Sequence, residues 1–302
     1  MRSLPHALVR RISVLLTFAA GAAGGSLLLA PSALANCCAV KSGGSPNADA
    51  IHSLYVIVLV VAVIVFLLVG GALVYAVFSF RASKHPVADQ IHGNTRLEIG
   101  WTAGAAFILV LLTIVTFIKL PSIIDAPNSN ASADQVLSAS LTEPNPPNGH
   151  KLTICVLGRQ FIWRYTYGSG CNKDYYFTKL PYSYQEMVVP AGVTVDLVIQ
   201  SSDVIHAWWV PSLGGKVDAV PGYTTYTWFR ADKAGALYHG QCAQLCGRQH
   251  AFMTALVKVV TPAQWVTWMN NQKALIADQN NQVATLRHAL IQQGSLTSNG
   301  IF

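Results

Sequence analysis

The stretch Tyr238–Met253, YHGQCAQLCGRQHAFM, closes a β-patterned region with two thiols, an imidazole and a thioether. Cys242, Cys246, His250 and Met253 form a soft donor set, which suits copper better than calcium, magnesium or a structural zinc site. A single-copper electron-transfer site needs one Cys, two His and a weak axial Met, so the second thiol is surplus to that recipe. Two bridging thiolates imply two metals, each needing one terminal imidazole. Between Cys242 and Met253 only His250 offers one, and the best upstream candidate for the other is His206, where a β-rich run ends beside Trp208 and Trp209. Two Cys four apart in an exported chain also suit a disulfide, and a lone His beside Trp suits a core residue. Neither alternative uses the whole donor set.

Outward from that loop, the runs KLTICVLGRQFIWRYTY, QEMVVPAGVTVDLVIQSS, TTYTWFRA and AFMTALVKVVT are rich in β-branched and aromatic residues and punctuated by Gly and Pro. They predict a small all-β sandwich or barrel over residues 151–272. A packed β scaffold restrains its metal loops, which favours electron transfer because oxidised and reduced metal then need little rearrangement.

The chain of 302 residues is 52% hydrophobic and only 11% charged, against roughly 25% charged in soluble domains. Part of it belongs in lipid. Leu54–Phe80 holds no charged residue over 27 positions, more than the roughly 20 that cross hydrocarbon. Ile99–Ile118 gives a second uncharged run of 20 residues, followed by Lys119 as an interfacial anchor and Pro121 as a helix stop. The loop 81–98 between them carries Arg81, Lys84 and Arg96, whereas no Lys or Arg follows Lys119 until Lys151. The excess of positive charge puts that loop in the cytoplasm and the β domain outside it. The net charge of +7 is scattered along the chain, which argues against nucleic-acid binding.

Residues 1–35 combine Arg2, Arg10 and Arg11 with the apolar run Val14–Leu29 and the small-residue pattern Ala33-Leu34-Ala35, the signature of a signal peptide cleaved after Ala35. Lipid attachment at Cys37 and an uncleaved third span are the alternatives. Residues 36–53 then form an extracytoplasmic segment, 119–150 a linker rich in Asn, Ser and Pro, and 273–302 a tail with helix-forming residues from Ala274 to Gln293. Cys155 and Cys171 flank an aromatic segment and suit a disulfide if it folds as a hairpin in an oxidising compartment. No Cys-x-x-Cys-His occurs, so no attached c-type haem is expected.

The segments DVIHAWWVPSLGGKVDAVPG (203–222) and GQCAQLCGRQHAFM (240–253) resemble those of cytochrome c oxidase subunit II, and the resemblance extends over residues 50–272. It implies a membrane-anchored architecture: a two-helix transmembrane hairpin, then an all-β cupredoxin-like sandwich or barrel holding the dinuclear copper centre called CuA. Carried over residue by residue, Cys242 and Cys246 are the bridging thiolates, His206 and His250 the terminal ligands, Met253 the weak axial ligand, and the backbone carbonyl of Gln244 the last ligand. The family usually has Glu at that last position, where the carboxylate also helps hold magnesium or manganese at the subunit I boundary. Gln244 keeps the carbonyl and loses the carboxylate.

The resemblance also implies electron entry through an aromatic cluster. Phe161 stands where the family has Trp, and Trp163, two residues on, would share its face in an extended strand. Glu98, in RLEIGWT, matches the family's Glu-x-x-Trp-Thr signature near a proton-uptake path. The implied partners are oxidase subunits I and III, cytochrome c as donor, and membrane lipid, with the copper domain on the periplasmic or extracellular side of the cell membrane. Rival readings are a quinol oxidase subunit II, which has lost the copper ligands, and a copper-delivery chaperone of thioredoxin fold, which requires neither Met253 nor two spans.

Overall fold

The computed structural model describes residues 41–87, 90, 92–129, 151–168 and 180–293. The expected signal peptide, Cys37, Cys38, Cys171 and most of the linker lie outside these residues. Cys155 is disulfide-bonded.

Two long apolar helices come first: α1 spans Pro46–Ser79 and α2 spans Thr95–Ile124. Both expose apolar side chains such as Phe66, Leu68, Phe107 and Phe117, as lipid-facing helices do. Helix α1 begins eight residues before the expected Leu54. Pro46 fits the first turn, where its missing N–H is not needed, and Asp49 complements the positive helix end. At 34 residues it reaches about 51 Å, and its first turn leaves the membrane to contact the β domain.

Helix α2 is capped by Asn94, whose side-chain oxygen accepts from the Leu97 amide at 3.2 Å. Pro121 does not end it as expected: the helix continues to Ile124 with Pro121 inside its last turns. The freed last-turn carbonyl of Ile123 accepts the indole N–H of Trp228 at 2.9 Å, so the β domain satisfies the helix end.

The β domain begins as a hairpin. Strand β1 (Lys151–Arg159) pairs antiparallel with β2 (Ile162–Tyr167), and β3 (Tyr182–Tyr184) follows at the edge. Strand β4 (Glu186–Pro190) leads into β5 (Thr194–Ser201), β6 (His206–Trp208) and β7 (Val217–Ala219). Last come β8 (Thr225–Arg230), β9 (Leu237–Gln241) and β10 (Thr254–Val260). One sheet runs β3-β2-β1-β5-β8, with β1 and β5 parallel; a second runs β4-β10-β9, and β6 pairs with β7. Ile154, Val156, Tyr165, Leu197, Ile199, Val257 and Val259 alternate inward to fill the core between the sheets.

A capping box at Thr261 and Gln264 opens α3 (Pro262–Gln292), twelve residues before the Ala274 at which the helical tail was expected to start. Its buried Trp265 and Met269 belong to the β core.

Candidate metal centre

Three segments meet at one end of the β domain. The first is the β1–β2 turn, the second the turn into β6, and the third the loop from β9 to β10. His206, the first residue of β6, is fully buried. Its ring lies over Gly158 of β1, where an added Cβ would come within 3.0 Å of both the imidazole and Trp163. Glycine is therefore needed at that position for the imidazole to lie against the strand.

The loop after β9 is braced to itself and to β6. The Cys242 amide donates to the Met253 carbonyl at 2.8 Å, joining the loop's two ends, and the Ala243 amide donates to the Ala207 carbonyl at 2.9 Å. The His250 amide donates to the Gly247 carbonyl at 3.1 Å. These backbone bonds restrain the loop that carries the donor atoms.

The thiol sulfurs of Cys242 and Cys246 lie 3.8 Å apart. Nδ1 of His206 faces Cys242 at 3.8 Å, and Nδ1 of His250 faces Cys246 at 3.5 Å. The donor atoms of His206, Cys242 and Cys246 all fall within 4.8 Å of one another. The backbone oxygen of Gln244 lies 3.3 Å from the Cys242 sulfur, and Met253 is fully buried beneath the loop. Two soft sulfurs, each facing its own imidazole, fit copper.

The thiols differ. Burial pushes the Cys242 thiol up, but hydrogen bonding to His206 and to the backbone of Gln244 and Ala207 outweighs it and brings it down to about 6. Burial and the charge on Cys242 push Cys246 up to about 11.

Two residues that the sequence did not single out hold the candidate ligands in place. Asp203 Oδ1 sits 2.9 Å from Nε2 of His206, and its other oxygen accepts the Gln160 amide at 2.7 Å. The Gln160 side chain in turn donates to the Cys246 carbonyl at 2.6 Å. A metal-bound imidazole calls for an acceptor on its far nitrogen, so the Asp-x-x-His spacing carried a signal for Asp203. Nothing local marked Gln160.

Trp163 corrects one expectation. The strand breaks at the Gln160–Phe161 turn, so the two aromatics do not share an extended face. Trp163 is fully buried, its ring centroid 5.8 Å from that of His206, and it cannot form an entry surface. Phe161 is partly buried and meets the metal loop: a Cβ on Gly247 would lie 3.1 Å from its ring. Gly247 has φ of +132°, a conformation that side chains disfavour, so glycine also lets the loop turn here.

Glu98 belongs to a different region. It sits exposed in the first turn of α2, accepting the Asn94 amide at 3.3 Å.

Comparison with known proteins agrees with this architecture. Residues 152–260 match the family model described as cytochrome c oxidase subunit II, periplasmic domain, and residues 33–118 match that of its transmembrane domain. A probable cytochrome c oxidase subunit 2 of Rickettsia bellii is 31% identical over 251 residues, spanning 78% of this chain and 84% of the relative. Cytochrome c oxidase subunit 2 of Zea mays is 30% identical over 252 residues, spanning 78% of this chain and 89% of the relative. Among solved structures, the periplasmic domain of subunit II of cytochrome oxidase of Bradyrhizobium japonicum is 33% identical. The match covers 41% of this chain and 95% of that one, with a TM-score of 0.35.

Proposed function

The chain belongs to the cytochrome c oxidase subunit II family, and from that premise we propose that its β domain binds a dinuclear copper centre through which electrons enter the oxidase. It is a two-pass membrane protein of a haem-copper oxidase, with the β domain on the periplasmic side. The copper-delivery and quinol-oxidase readings are not favoured by that membership.

Cys242 and Cys246 would share both coppers, His206 and His250 would each bind one, and Met253 and the Gln244 carbonyl would complete the set. When bound, such a pair takes up one electron and gives it up again, with the charge spread over both metals and both sulfurs. The chain's own contribution is restraint. Asp203 pairs with Nε2 of His206, which turns Nδ1 toward the sulfurs, where it would bind metal. Gln160 ties the β1–β2 turn to the Cys246 carbonyl, and Met253 and Trp163 close the inner side of the site against water.

Cytochrome c is the proposed donor, with Phe161 at the entry side. Subunit I would be the acceptor and the place where oxygen is reduced and protons are moved, with subunit III beside it. Glu98, at the cytoplasmic end of α2, is proposed to lie near the mouth of a proton path into subunit I. Gln244 offers an exposed amide where the family's carboxylate would stand, so this chain supplies no anionic ligand there for magnesium or manganese.

The observation that carries this reading is the pairing of each thiol with its own imidazole, at 3.8 and 3.5 Å, across a sulfur pair 3.8 Å apart. Purifying the oxidase with copper and recording its absorption tests it. A purple mixed-valence band that disappears in Cys246→Ser is expected, and an unchanged spectrum in that variant would refute the assignment.

A further inference from the structure

Helix α3 carries one apolar stripe along its length, and the β domain uses only the first half of it. Met269, Ile276, Val283 and Leu290 recur every seven residues, with Trp265 and Leu286 a turn away on the same side. At the start of the helix this stripe is core. Trp265 and Met269 are buried among the strands, and Trp268 meets Tyr167 edge-on with ring centroids 4.9 Å apart. Ile276 is buried as well, but beyond it the stripe leaves the domain: Val283 is 48% exposed, Leu286 61%, and Leu275 at the stripe's edge 53%. From Ile276 to Leu290 it runs for about 21 Å.

The charges of α3 are arranged about that stripe. They are Lys273, Asp278 and Arg287. Lys273 stands four residues after Met269 and three before Ile276, and Arg287 stands four after Val283 and three before Leu290, so both cations lie on the same flank of the stripe. Neither has an acidic residue three or four positions away on the helix to pair with. Asp278 is turned off the stripe, where it accepts from the Gln282 side chain at 2.9 Å. Gln279 sets one amide within the stripe, a polar interruption of the kind that fixes register between paired helices.

We propose that the second half of α3, from Ile276 to Leu290, is a docking surface for an amphipathic helix of another protein, whose apolar residues repeat every three and four positions and whose flank carries carboxylates opposite Lys273 and Arg287. Heptad spacing selects a helix as the partner, because apolar residues so placed pack into the matching row of a second helix. The one-sided cations select an acidic flank. A second copy of this chain brings no carboxylate along its own stripe, and a membrane surface calls for a helix richer in Lys and Arg.

The test uses the full chain assembled in the oxidase, in the membranes of the cells that make it. A photoreactive phenylalanine replaces Val283 and, as a control, Asn281 on the opposite face of the helix. Illumination should give one adduct from position 283 and none from position 281. Sequencing of the cross-linked peptide should show a heptad-patterned segment of a different polypeptide with Asp or Glu beside its apolar row. Leu286→Lys should cut the yield by about tenfold or more, since it sets a charge in the apolar contact. Arg287→Glu should cut it by about two- to fivefold, and exchanging the facing carboxylate of the partner for Lys should restore it. The copper absorption should be the same in all of these variants. An adduct with a second copy of the chain or with lipid, a partner segment without acidic residues, or no adduct from position 283 would overturn the proposal, as would a yield indifferent to Leu286→Lys.

Discussion

Oδ1 of Asp203 lies 2.9 Å from Nε2 of His206, on the side of the ring opposite the nitrogen that faces Cys242. This contact fixes both the tautomer and the tilt of a fully buried imidazole. Removing such an outer partner usually lowers metal affinity by about 10–100-fold. Asp203→Asn should lose copper to a chelator in that range while the domain stays folded. An unchanged affinity in the competition titration would show that the loop alone positions His206.

Phe161 and Trp163, two residues apart, should behave as opposites. Trp163 fills the core, and cutting a buried Trp to Ala costs about 3–5 kcal/mol, so Trp163→Ala should unfold at clearly lower denaturant. Phe161→Ala should leave most of the stability and the copper absorption intact but slow electron entry from the donor. Stopped-flow reduction beside a denaturant titration separates the two, and equal loss of stability would contradict the assignment.

Met253 is buried, and exchanging it for Leu conserves volume, which usually costs less than about 1.5 kcal/mol. Met253→Leu should therefore keep both the fold and the copper. Removing a neutral donor weakens the electron-poor oxidised state more than the reduced one, so the potential should move upward. A redox titration showing no shift would exclude Met253 from the ligand set.

Asn47, at the start of α1, donates to the Trp228 carbonyl at 2.6 Å within a buried joint, and Ser45 Oγ accepts the Arg230 amide at 3.0 Å. Leaving the Trp228 carbonyl without that partner costs about 1–3 kcal/mol. Asn47→Ala should raise protease sensitivity at the boundary between helix and β domain with no change in the copper spectrum. Unaltered sensitivity would mean the joint is held elsewhere.

Gln244→Glu would restore a carboxylate at an exposed position beside the metal loop. Manganese content of the purified oxidase, grown with manganese, should rise above that of the parent chain. Equal content in both would place the controlling ligands on another subunit.

The chemistry of the loop was legible because ligand softness is a property of residue type, and Cys242, Cys246, His250 and Met253 lie within twelve consecutive residues. The two apolar helices were legible for a similar reason, since a long uncharged run has few other fates. Their ends were not. The first turn of α1 and the last turn of α2 are set by hydrogen bonds to Trp228, more than a hundred residues away. Period-two alternation likewise presumed an unbroken strand through Phe161 and Trp163, and a turn between β1 and β2 sent Trp163 inward. Gln160 was invisible because its meaning lies in the Cys246 carbonyl, 86 residues on.

The number of coppers and the sharing of one electron between them test the central claim most directly. Elemental analysis of the purified, copper-loaded oxidase, corrected for copper in subunit I, should give two coppers per chain. Electron paramagnetic resonance should show hyperfine splitting shared equally by two copper nuclei. One copper per chain, with splitting from a single nucleus, would contradict the account.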